Sequence, residues 1–206
     1  YATDFENRGY EVVRYSLEEP YVNNKEKIKD CDIVFVAVPT PTTPKGFDSS
    51  ILESAVQKVG KGKIVVIKST MLPGTTDKIQ SKNRDKFIFH SPEFLTEATA
   101  LFDAANPKRN IIGIAKESKV YREKAKLILQ VLPKAPFELV CSAKEAELIK
   151  YAGNNWFYLK VVYTNLLYDL ARANDCDYNV IREAMSHDPR IGTSHLMPVH
   201  KSGTIG

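Results

Sequence analysis

The feature that most constrains the fold of this chain is the segment CDIVFVAV at residues 31–38, in which residues 33–38 are all apolar. Its residues are largely β-branched and do not alternate with polar ones, which is typical of a strand buried on both faces of a parallel sheet. Similar runs occur in KIVVIKST, KFIFHSP and RNIIGIA, at residues 63–70, 86–92 and 109–115. The sequence therefore predicts a sheet whose central strands have no face open to water.

Segments with helical periodicity separate these strands. Ser49 or Ser50 can cap one such segment, and Gly9 can end another. Helices are expected at residues 4–8, 49–59, 75–83 and 119–131, and further strands at residues 10–15 (YEVVRY) and 137–140 (FELV). Strands that alternate with helices need right-handed crossovers, so this pattern predicts an α/β fold with a doubly wound, parallel, Rossmann-like sheet.

From about residue 142 the pattern changes to that of one long helix. Apolar residues recur at spacings of three and four from Ile149 to Leu170, and we expect the helix to end near Ala173. Another helix is expected in CDYNVIREAMS at residues 176–186, followed by an irregular tail. The sequence thus predicts two domains, a doubly wound domain at 1–141 and a helical region at 142–206.

The composition excludes several classes of protein. No run approaches the roughly eighteen apolar residues of a membrane span, and the N-terminus lacks the pattern of a signal peptide, so we expect a cytoplasmic protein that binds no membrane. The 29 basic residues are interspersed with 25 acidic ones and form no arginine-rich block, which argues against nucleic-acid binding despite a net charge of +4.

The cysteines and histidines favour neither disulfides nor a metal site. Cys31, Cys141 and Cys176 are widely spaced, with no CxxC pair, so we expect reduced thiols. The four histidines lie on separate segments without the spacing of metal ligands, and we expect no bound metal.

Three polar turns follow the predicted strands, VPTP, KSTMLPGT and SPEFLTEA. In open parallel sheets, ligands bind beyond the carboxyl ends of the strands, where such turns meet. The hydroxyls of Thr40 and Thr70 are suited to a phosphate, a ribose or a water. Glu93 and Glu97, four residues apart in the third turn, add two carboxylates to the same edge.

Lys150 and Asn154 lie four residues apart in the predicted long helix, and therefore on one face of it. An ammonium and an amide placed together can stabilise an oxygen that gains negative charge in a transition state. The pair alone is a weak signal, because most such pairs are solvated surface.

Several motifs occur together and in order. They are VPTP, KST with PGT, SPEFLTEATALFD, NPKRNIIG, AKEAELIKYAGN and DPRIG. In this arrangement the chain resembles the UDP-glucose/GDP-mannose 6-dehydrogenase family over nearly its whole length. The resemblance implies an NAD-binding Rossmann-like domain at 1–141, and a long connecting helix with the start of a helical dimerisation domain at 142–206. It also implies a homodimer that oxidises the primary alcohol of a UDP-glucose-like nucleotide sugar to the uronic acid, with two hydride transfers to NAD.

The resemblance assigns roles to particular residues. By it, the catalytic residues are Thr70, Glu93, Lys150 and Asn154. Contacts with the cofactor are expected from Val38, Pro39, Thr40, Ser69, Thr70 and Glu97. Contacts with the substrate are expected from Glu93, Phe94, Leu95, Glu97, Lys150, Asn154 and Arg190. Which of Glu93 and Glu97 is the base stays open, because a carboxylate near Lys150 could equally orient that lysine.

The sequence departs from the family pattern in two places. The chain has no glycine-rich GxGxxG turn before its first helix, and Ser16 stands where the family has a ribose-binding acid. The family's GGxCxPKD segment is also absent, and none of the three cysteines occupies its position. We therefore expect a fragment of a longer enzyme, without its first strand, that is inactive by itself because the nucleophilic cysteine is missing.

Two alternatives remain at this point. A lysine and an asparagine four apart after a Rossmann-like domain also occur in the 3-hydroxyacid and 6-phosphogluconate dehydrogenase group. The second alternative is a non-catalytic module that binds a nucleotide and dimerises. The identity of the sugar nucleotide and the preference for NAD over NADP are not determined by these residues.

Overall fold

A computed structural model describes residues 1–198 of the 206-residue chain. Its helices are α1 Ala2–Asn7, α2 Ser50–Gln57, α3 Thr75–Lys82, α4 Ala100–Ala105, α5 Lys119–Val131, α6 Ala143–Ala173 and α7 Tyr178–Ser186. Its strands are β1 Ile33–Val36, β2 Thr42–Thr43, β3 Gly46–Phe47, β4 Ile64–Ile67, β5 Phe87–His90, β6 Arg109–Ile114 and β7 Phe137–Ser142. Two 3-10 segments, Val22–Asp30 and Glu97–Thr99, complete the order. The predicted alternation of strands and helices, and the long helix that follows it, are confirmed.

The main sheet has the order β1-β4-β5-β6-β7, and β2 and β3 form a separate short hairpin. β1, β4 and β5 are parallel neighbours, as are β6 and β7, whereas β5 and β6 are antiparallel. The expectation of a wholly parallel sheet was therefore wrong at this pair, although the sheet is mostly parallel. For two consecutive strands to be parallel, a crossover must return the chain to the end of the sheet at which the first strand began. In the observed register Gly113 lies opposite His90, so β6 begins beyond the carboxyl end of β5 and runs back.

β4 is buried along its whole length, and its side chains alternate between two apolar cores. Ile64 and Val66 face one core, and Val65 and Ile67 face the other. The first core contains Phe5, Ile64, Val66, Phe89, Ile112, Ile114, Tyr121, Ala125, Ile128 and Leu132. The second contains Ile28, Val36, Leu52, Val56, Val59, Val65, Ile67, Met71, Ile79 and Ile88. A core on each face confirms the doubly wound α/β class.

The strand predicted at residues 10–15 does not form. This segment has no regular secondary structure and pairs with no strand of the described sheet. A strand needs a neighbour to satisfy its backbone groups, and in its place the carbonyl of Arg14 accepts a hydrogen bond of 3.0 Å from the Asn24 side chain. The strand predicted from the apolar pattern of YEVVRY was therefore wrong.

The chain divides into two compact units, Tyr1–Tyr151 and Ala152–Gly206. The division lies within α6, later than the boundary expected at residue 141. In the second unit, Asp177 caps α7 by accepting from the Asn179 amide at 2.8 Å. The hydroxyl of Tyr178 donates to the Leu196 carbonyl at 2.8 Å. These bonds hold the segment after α7 to its own unit. The part of the tail beyond residue 198 lies outside the described residues.

The apolar stripe predicted on the long helix is present but is not packed within the described chain. Five of its side chains are 57–64% exposed, namely Trp156, Leu159, Tyr163, Leu166 and Leu170. Apolar area of this extent on one helix face is unusual for a surface that remains in water. Among residues 1–198, no helix combines the length and the apolar character needed to cross a membrane.

Candidate active site

The first two polar turns are joined at the carboxyl ends of β1 and β4. The Ser69 hydroxyl accepts a hydrogen bond from the Val38 amide at 2.9 Å and donates to the Val38 carbonyl at 2.7 Å. The Thr40 hydroxyl donates to the Thr70 carbonyl at 2.7 Å. The hydroxyl groups of Ser69 and Thr40 thus both donate to acceptors within the protein. The Thr70 hydroxyl, in contrast, forms no hydrogen bond with another described residue.

The third turn is joined to the same edge. The Ser91 amide donates to the Ile67 carbonyl at 2.9 Å, which extends the pairing of β4 with β5 by one bond. The Lys68 ammonium group donates to the Ser91 hydroxyl at 3.1 Å. The structure therefore brings together all three turns that the sequence singled out.

Glu93 and Lys150 form an ion pair at this edge. Lys150 Nζ lies 3.0 Å from Glu93 Oε1, and the Leu95 amide donates to Glu93 Oε2 at 2.7 Å. Both carboxylate oxygens are therefore engaged. The Lys150 side chain is only 11% exposed, against 31% for Glu93. A partly buried pair is screened less by salt than a surface pair, and its geometry fixes the direction of the lysine.

Phe94 lies against two cations. The Arg109 guanidinium is 3.7 Å from the centre of its ring, and Lys150 Nζ is 5.7 Å away. Both distances are within the range of cation–π attraction. Arg109 reaches the ring because β6 begins beyond the end of β5. Phe94 therefore helps to place the loop that carries Glu93.

Glu147 holds the second turn to α6. Its side chain is fully buried and accepts hydrogen bonds from the Gly74 amide at 2.5 Å, the Thr76 amide at 2.7 Å and the Thr76 hydroxyl at 2.6 Å. The first amides of α3 are thereby satisfied by a carboxylate, which the helix dipole also favours. Glu147 precedes Lys150 by three residues, so one turn of α6 carries both the anchor and the site lysine.

Burial shifts the pKa of several groups near the pair. Lys68 is 5% exposed, and its pKa is lowered to about 7, chiefly by burial, with Glu93 acting in the opposite sense and Lys150 in the same sense. Burial also lowers the pKa of His90 to about 4, and raises the pKa of Tyr1 to about 12 with a further contribution from Glu93. Tyr1 lies with its ring centre 4.7 Å from Lys68 Nζ.

The remaining predicted residues are not in contact with the pair. Glu97 is exposed, and its carboxylate forms no ion pair or hydrogen bond with another described residue. Asn154 is an exposed residue of α6 in the second unit. Arg190, also in the second unit, is paired with Asp188 at 2.6 Å while its own side chain is 87% exposed. Their predicted roles stay predictions.

Family models match most of the chain. Residues 11–131 match the NAD-binding domain of the UDP-glucose/GDP-mannose dehydrogenase family, and residues 144–204 match its central domain. The chain belongs to the UDP-glucose/GDP-mannose dehydrogenase family. Within this family it is 31% identical, over 186 residues, to a UDP-glucose 6-dehydrogenase of Pseudomonas aeruginosa, covering 83% of this chain and 41% of that protein. A UDP-glucose 6-dehydrogenase of Haloferax volcanii is 29% identical over 191 residues, covering 83% of this chain and 44% of the relative.

Solved structures agree with this membership. The structure of a UDP-glucose dehydrogenase from Pyrobaculum islandicum has a TM-score of 0.73 at 33% identity, covering 84% of this chain and 42% of that one. A UDP-D-ManNAc dehydrogenase from Pyrococcus horikoshii, at 20% identity and a TM-score of 0.78, covers 93% of this chain and 56% of its own, and shows the shared fold. The chain thus spans less than half the length of the curated relatives described above.

The first two turns present groups of the kind that contact a bound dinucleotide such as NAD. The Val38–Thr40 turn offers a partly exposed apolar and hydroxyl surface, and the Thr70 hydroxyl beside it is open. The N-terminus of α3 does not offer its first amides to the phosphates, because Glu147 already accepts from them. Residues 11–131 match the family's NAD-binding domain, and the edge formed by β1 and β4 lies within this range.

Neither Cys31 nor Cys141 has the character of a nucleophile. Cys31 and Cys141 have raised pKa values, in both cases mainly through burial, and that of Cys141 reaches about 11. Such thiols stay protonated near neutral pH and react slowly. Among residues 1–198, no group of three or more histidine, cysteine or acidic side chains could hold a metal ion.

Sequence reasoning missed Lys68, Ser91, His90, Glu147 and Tyr1. Lys68 follows four buried aliphatic residues without a break, and a lysine that continues a buried strand is an available signal of a special environment. Glu147 could have been noted because it lies three residues before Lys150 and so shares its helix face. Tyr1 could not, because its place beside Lys68 results from tertiary packing.

Proposed function

We propose that the complete protein containing this chain is an NAD-dependent nucleotide-sugar 6-dehydrogenase. It oxidises the primary alcohol of a UDP-glucose-like sugar to the carboxylate in two successive steps. The observation that supports this most is the Lys150–Glu93 pair of 3.0 Å at the edge of a sheet that belongs to this family. An ammonium group that is partly buried and held in a fixed orientation is a suitable donor to stabilise an oxygen that gains negative charge in the transition state.

The site residues divide the work in this proposal. Bound NAD supplies the acceptor for the hydride that leaves the carbinol carbon. Lys150 donates a hydrogen bond to the substrate oxygen as that oxygen loses its proton to a bound water, and Asn154 adds a second donor. Glu93 orients Lys150, since its two oxygens are already engaged by Lys150 and by the Leu95 amide. The open hydroxyl of Thr70 positions the water needed to form the acid.

The second oxidation needs a nucleophile that holds the aldehyde. Cys141 does not suit this role, because its thiol has a pKa of about 11 and remains protonated. We infer that the 206-residue chain does not complete the reaction by itself. The proposed reaction therefore requires a thiol with a lower pKa than that of Cys141.

The exposed stripe on α6 supports a homodimer. Trp156, Leu159 and Leu166 are each more than half exposed in the single chain, and an apolar helix face of this kind is typical of a subunit interface. In such a dimer, the exposed Arg190 is available to a substrate bound by the partner subunit. Sedimentation of the complete protein as a monomer at micromolar concentration would contradict the dimer.

Replacing Lys150 by alanine in the complete protein tests the oxyanion assignment. We expect kcat to fall by about 10²–10³-fold, the loss typical of one oxyanion donor, while UDP-glucose binding measured by calorimetry remains detectable. Lys144→Ala is the matched control, because Lys144 lies on the same helix and is 66% exposed. It should retain wild-type turnover.

The yield of NADH tests the reaction class. Two NADH for each UDP-glucose consumed are expected of an alcohol taken to an acid. One NADH for each sugar, or wild-type turnover in Lys150→Ala, would contradict the proposal. A panel of UDP-glucose, GDP-mannose and UDP-N-acetyl sugars identifies the preferred substrate.

A further inference from the structure

Lys68 is a buried lysine without a carboxylate partner among the described residues. It follows β4 directly, is 5% exposed, and its Nζ donates to the Ser91 hydroxyl at 3.1 Å. The ring of Tyr1 covers it at 4.7 Å. Lysines are rarely buried to this extent unless they are paired or functional. The proposed reaction gives no role to this amine.

The titratable groups that interact with Lys68 come from the N-terminal residue, from β5, from the turn after β5 and from α6. They are Tyr1, His90, Glu93 and Lys150. The pKa of His90, about 4, and that of Tyr1, about 12, leave both groups neutral between pH 6 and 9. The charges that remain are the Glu93 carboxylate, which favours a proton on Lys68, and the Lys150 ammonium, which opposes it.

Two amines therefore share the influence of one carboxylate, and only one of them bonds to it. Lys150 has the direct contact with Glu93 at 3.0 Å, whereas Lys68 has only the neutral hydroxyl of Ser91. An uncharged amine can accept or donate in a bond to a hydroxyl, and it does not compete for a carboxylate. A charged amine in the same place would attract Glu93 and repel Lys150.

We propose that Lys68 is a positioning residue of this site, whose neutral form, held by Ser91, leaves Glu93 to orient Lys150, and whose protonated form weakens that pair. The proposal rests on the proposed function for its effect on catalysis. Its structural part concerns only Lys68, Ser91, Glu93 and Lys150. A pKa near 7 for Lys68 supports it, because the amine then changes charge within the physiological range.

NMR of the complete protein with lysine labelled at Cε and Nζ tests the structural part without turnover. The Lys68 signal is identified by its absence in Lys68→Met. We expect it to titrate near pH 7, and we expect the Lys150 signal to move with the same midpoint in wild type and to lose that step in Lys68→Met. A Lys68 signal that titrates above pH 9, or a Lys150 signal without the step, overturns the proposal.

The pH profile of kcat tests the catalytic part. A required neutral amine with a pKa near 7 predicts turnover about tenfold lower at pH 6 than at pH 8. Lys68→Met should have a flat profile, and Lys68→Arg, which stays charged, should be low throughout. Lys86→Met is the control, since Lys86 is 8% exposed and precedes β5 at the end opposite to Ser91, and it should keep the wild-type profile.

The NMR titrations and the pH profile of kcat distinguish a failure of this proposal from a failure of the proposed function on which it rests. A complete protein that turns over no nucleotide sugar overturns the proposed function, and the NMR titrations still decide whether Lys68 controls the pair. A wild-type pH profile in Lys68→Met overturns the catalytic effect even where both titrations have their expected midpoints.

Discussion

Replacing Lys68 by methionine is expected to remove a rise in stability with pH. Methionine keeps the unbranched apolar stem but lacks the amine. In the folded protein the pKa of Lys68 is lowered from 10.5 to about 7, chiefly by burial. Between these values the unfolded chain holds one more proton than the folded one, so the free energy of unfolding of the wild type increases with pH.

The size of the effect follows from that pair of values. The gap between 10.5 and about 7 corresponds to about 5 kcal/mol over the whole interval. Above pH 9 the raised pKa of Cys141, and later that of Tyr1, act in the opposite direction, because these groups keep their protons longer in the folded protein. From pH 7 to 9, one proton contributes about 2 to 3 kcal/mol.

The pH dependence of the free energy of unfolding is measured by urea unfolding of the wild type and of Lys68→Met at pH 6, 7, 8 and 9. Far-UV circular dichroism and hydrogen exchange at the β4 amides are the probes. The quantity compared is the difference between the two proteins, since His90, Cys141 and Tyr1 contribute to both. We expect the variant to be the more stable at pH 6, and its advantage to shrink by about 2 to 3 kcal/mol between pH 7 and 9.

The matched control for this experiment is Lys144→Met, because Lys144 is 66% exposed and its charge is already in contact with solvent. Its difference from the wild type should not change between pH 7 and 9. A difference between the wild type and Lys68→Met that is constant with pH would refute the reasoning, since it would mean that Lys68 keeps its proton in the folded protein.

Three further outcomes are expected. Glu147→Gln should lower the free energy of unfolding by about 1 to 3 kcal/mol, because one of three donors loses its acceptor; exposed Glu123→Gln is the control, and equal urea midpoints would contradict this. Gly113→Ala should cost about 1 to 3 kcal/mol, because the added methyl carbon would lie 2.7 Å from the Ala146 methyl carbon. Gly153→Ala, which meets nothing within 4 Å in a helix, should be neutral or stabilising, and thermal melts compare the two. The 206-residue chain alone should produce no NADH from UDP-glucose, and a measurable burst would contradict that expectation.

The sequence was informative where one local pattern decides the structure. The buried strands, the helix at Lys119–Val131 and the long helix to Ala173 follow from periodicity, and the structure confirms them. The segment at 10–15 and the direction of β6 were predicted wrongly, because pairing and strand direction depend on neighbours far away in the chain. No local pattern encodes which strand lies beside which.

The same distinction applies to the candidate site. Three motif-bearing turns were expected at one edge of the sheet. The hydrogen bonds of Val38 with Ser69 and of Thr40 with Thr70, together with the Lys68–Ser91 contact, join them there. The ion pair of Glu93 with Lys150 connects residues far apart in sequence, and its existence was expected only from the resemblance to a family. The depressed pKa of Lys68 depends on burial by Tyr1 and its surroundings, which periodicity does not reveal.

The carboxylate of Glu147 has a mechanical consequence for this family member. It clamps the start of α3 to the same helical turn that carries Lys150. The loop between β4 and α3 therefore cannot move away from α6 without breaking a buried carboxylate contact. The position of this loop and the position of the helical turn that carries Lys150 are linked by that contact.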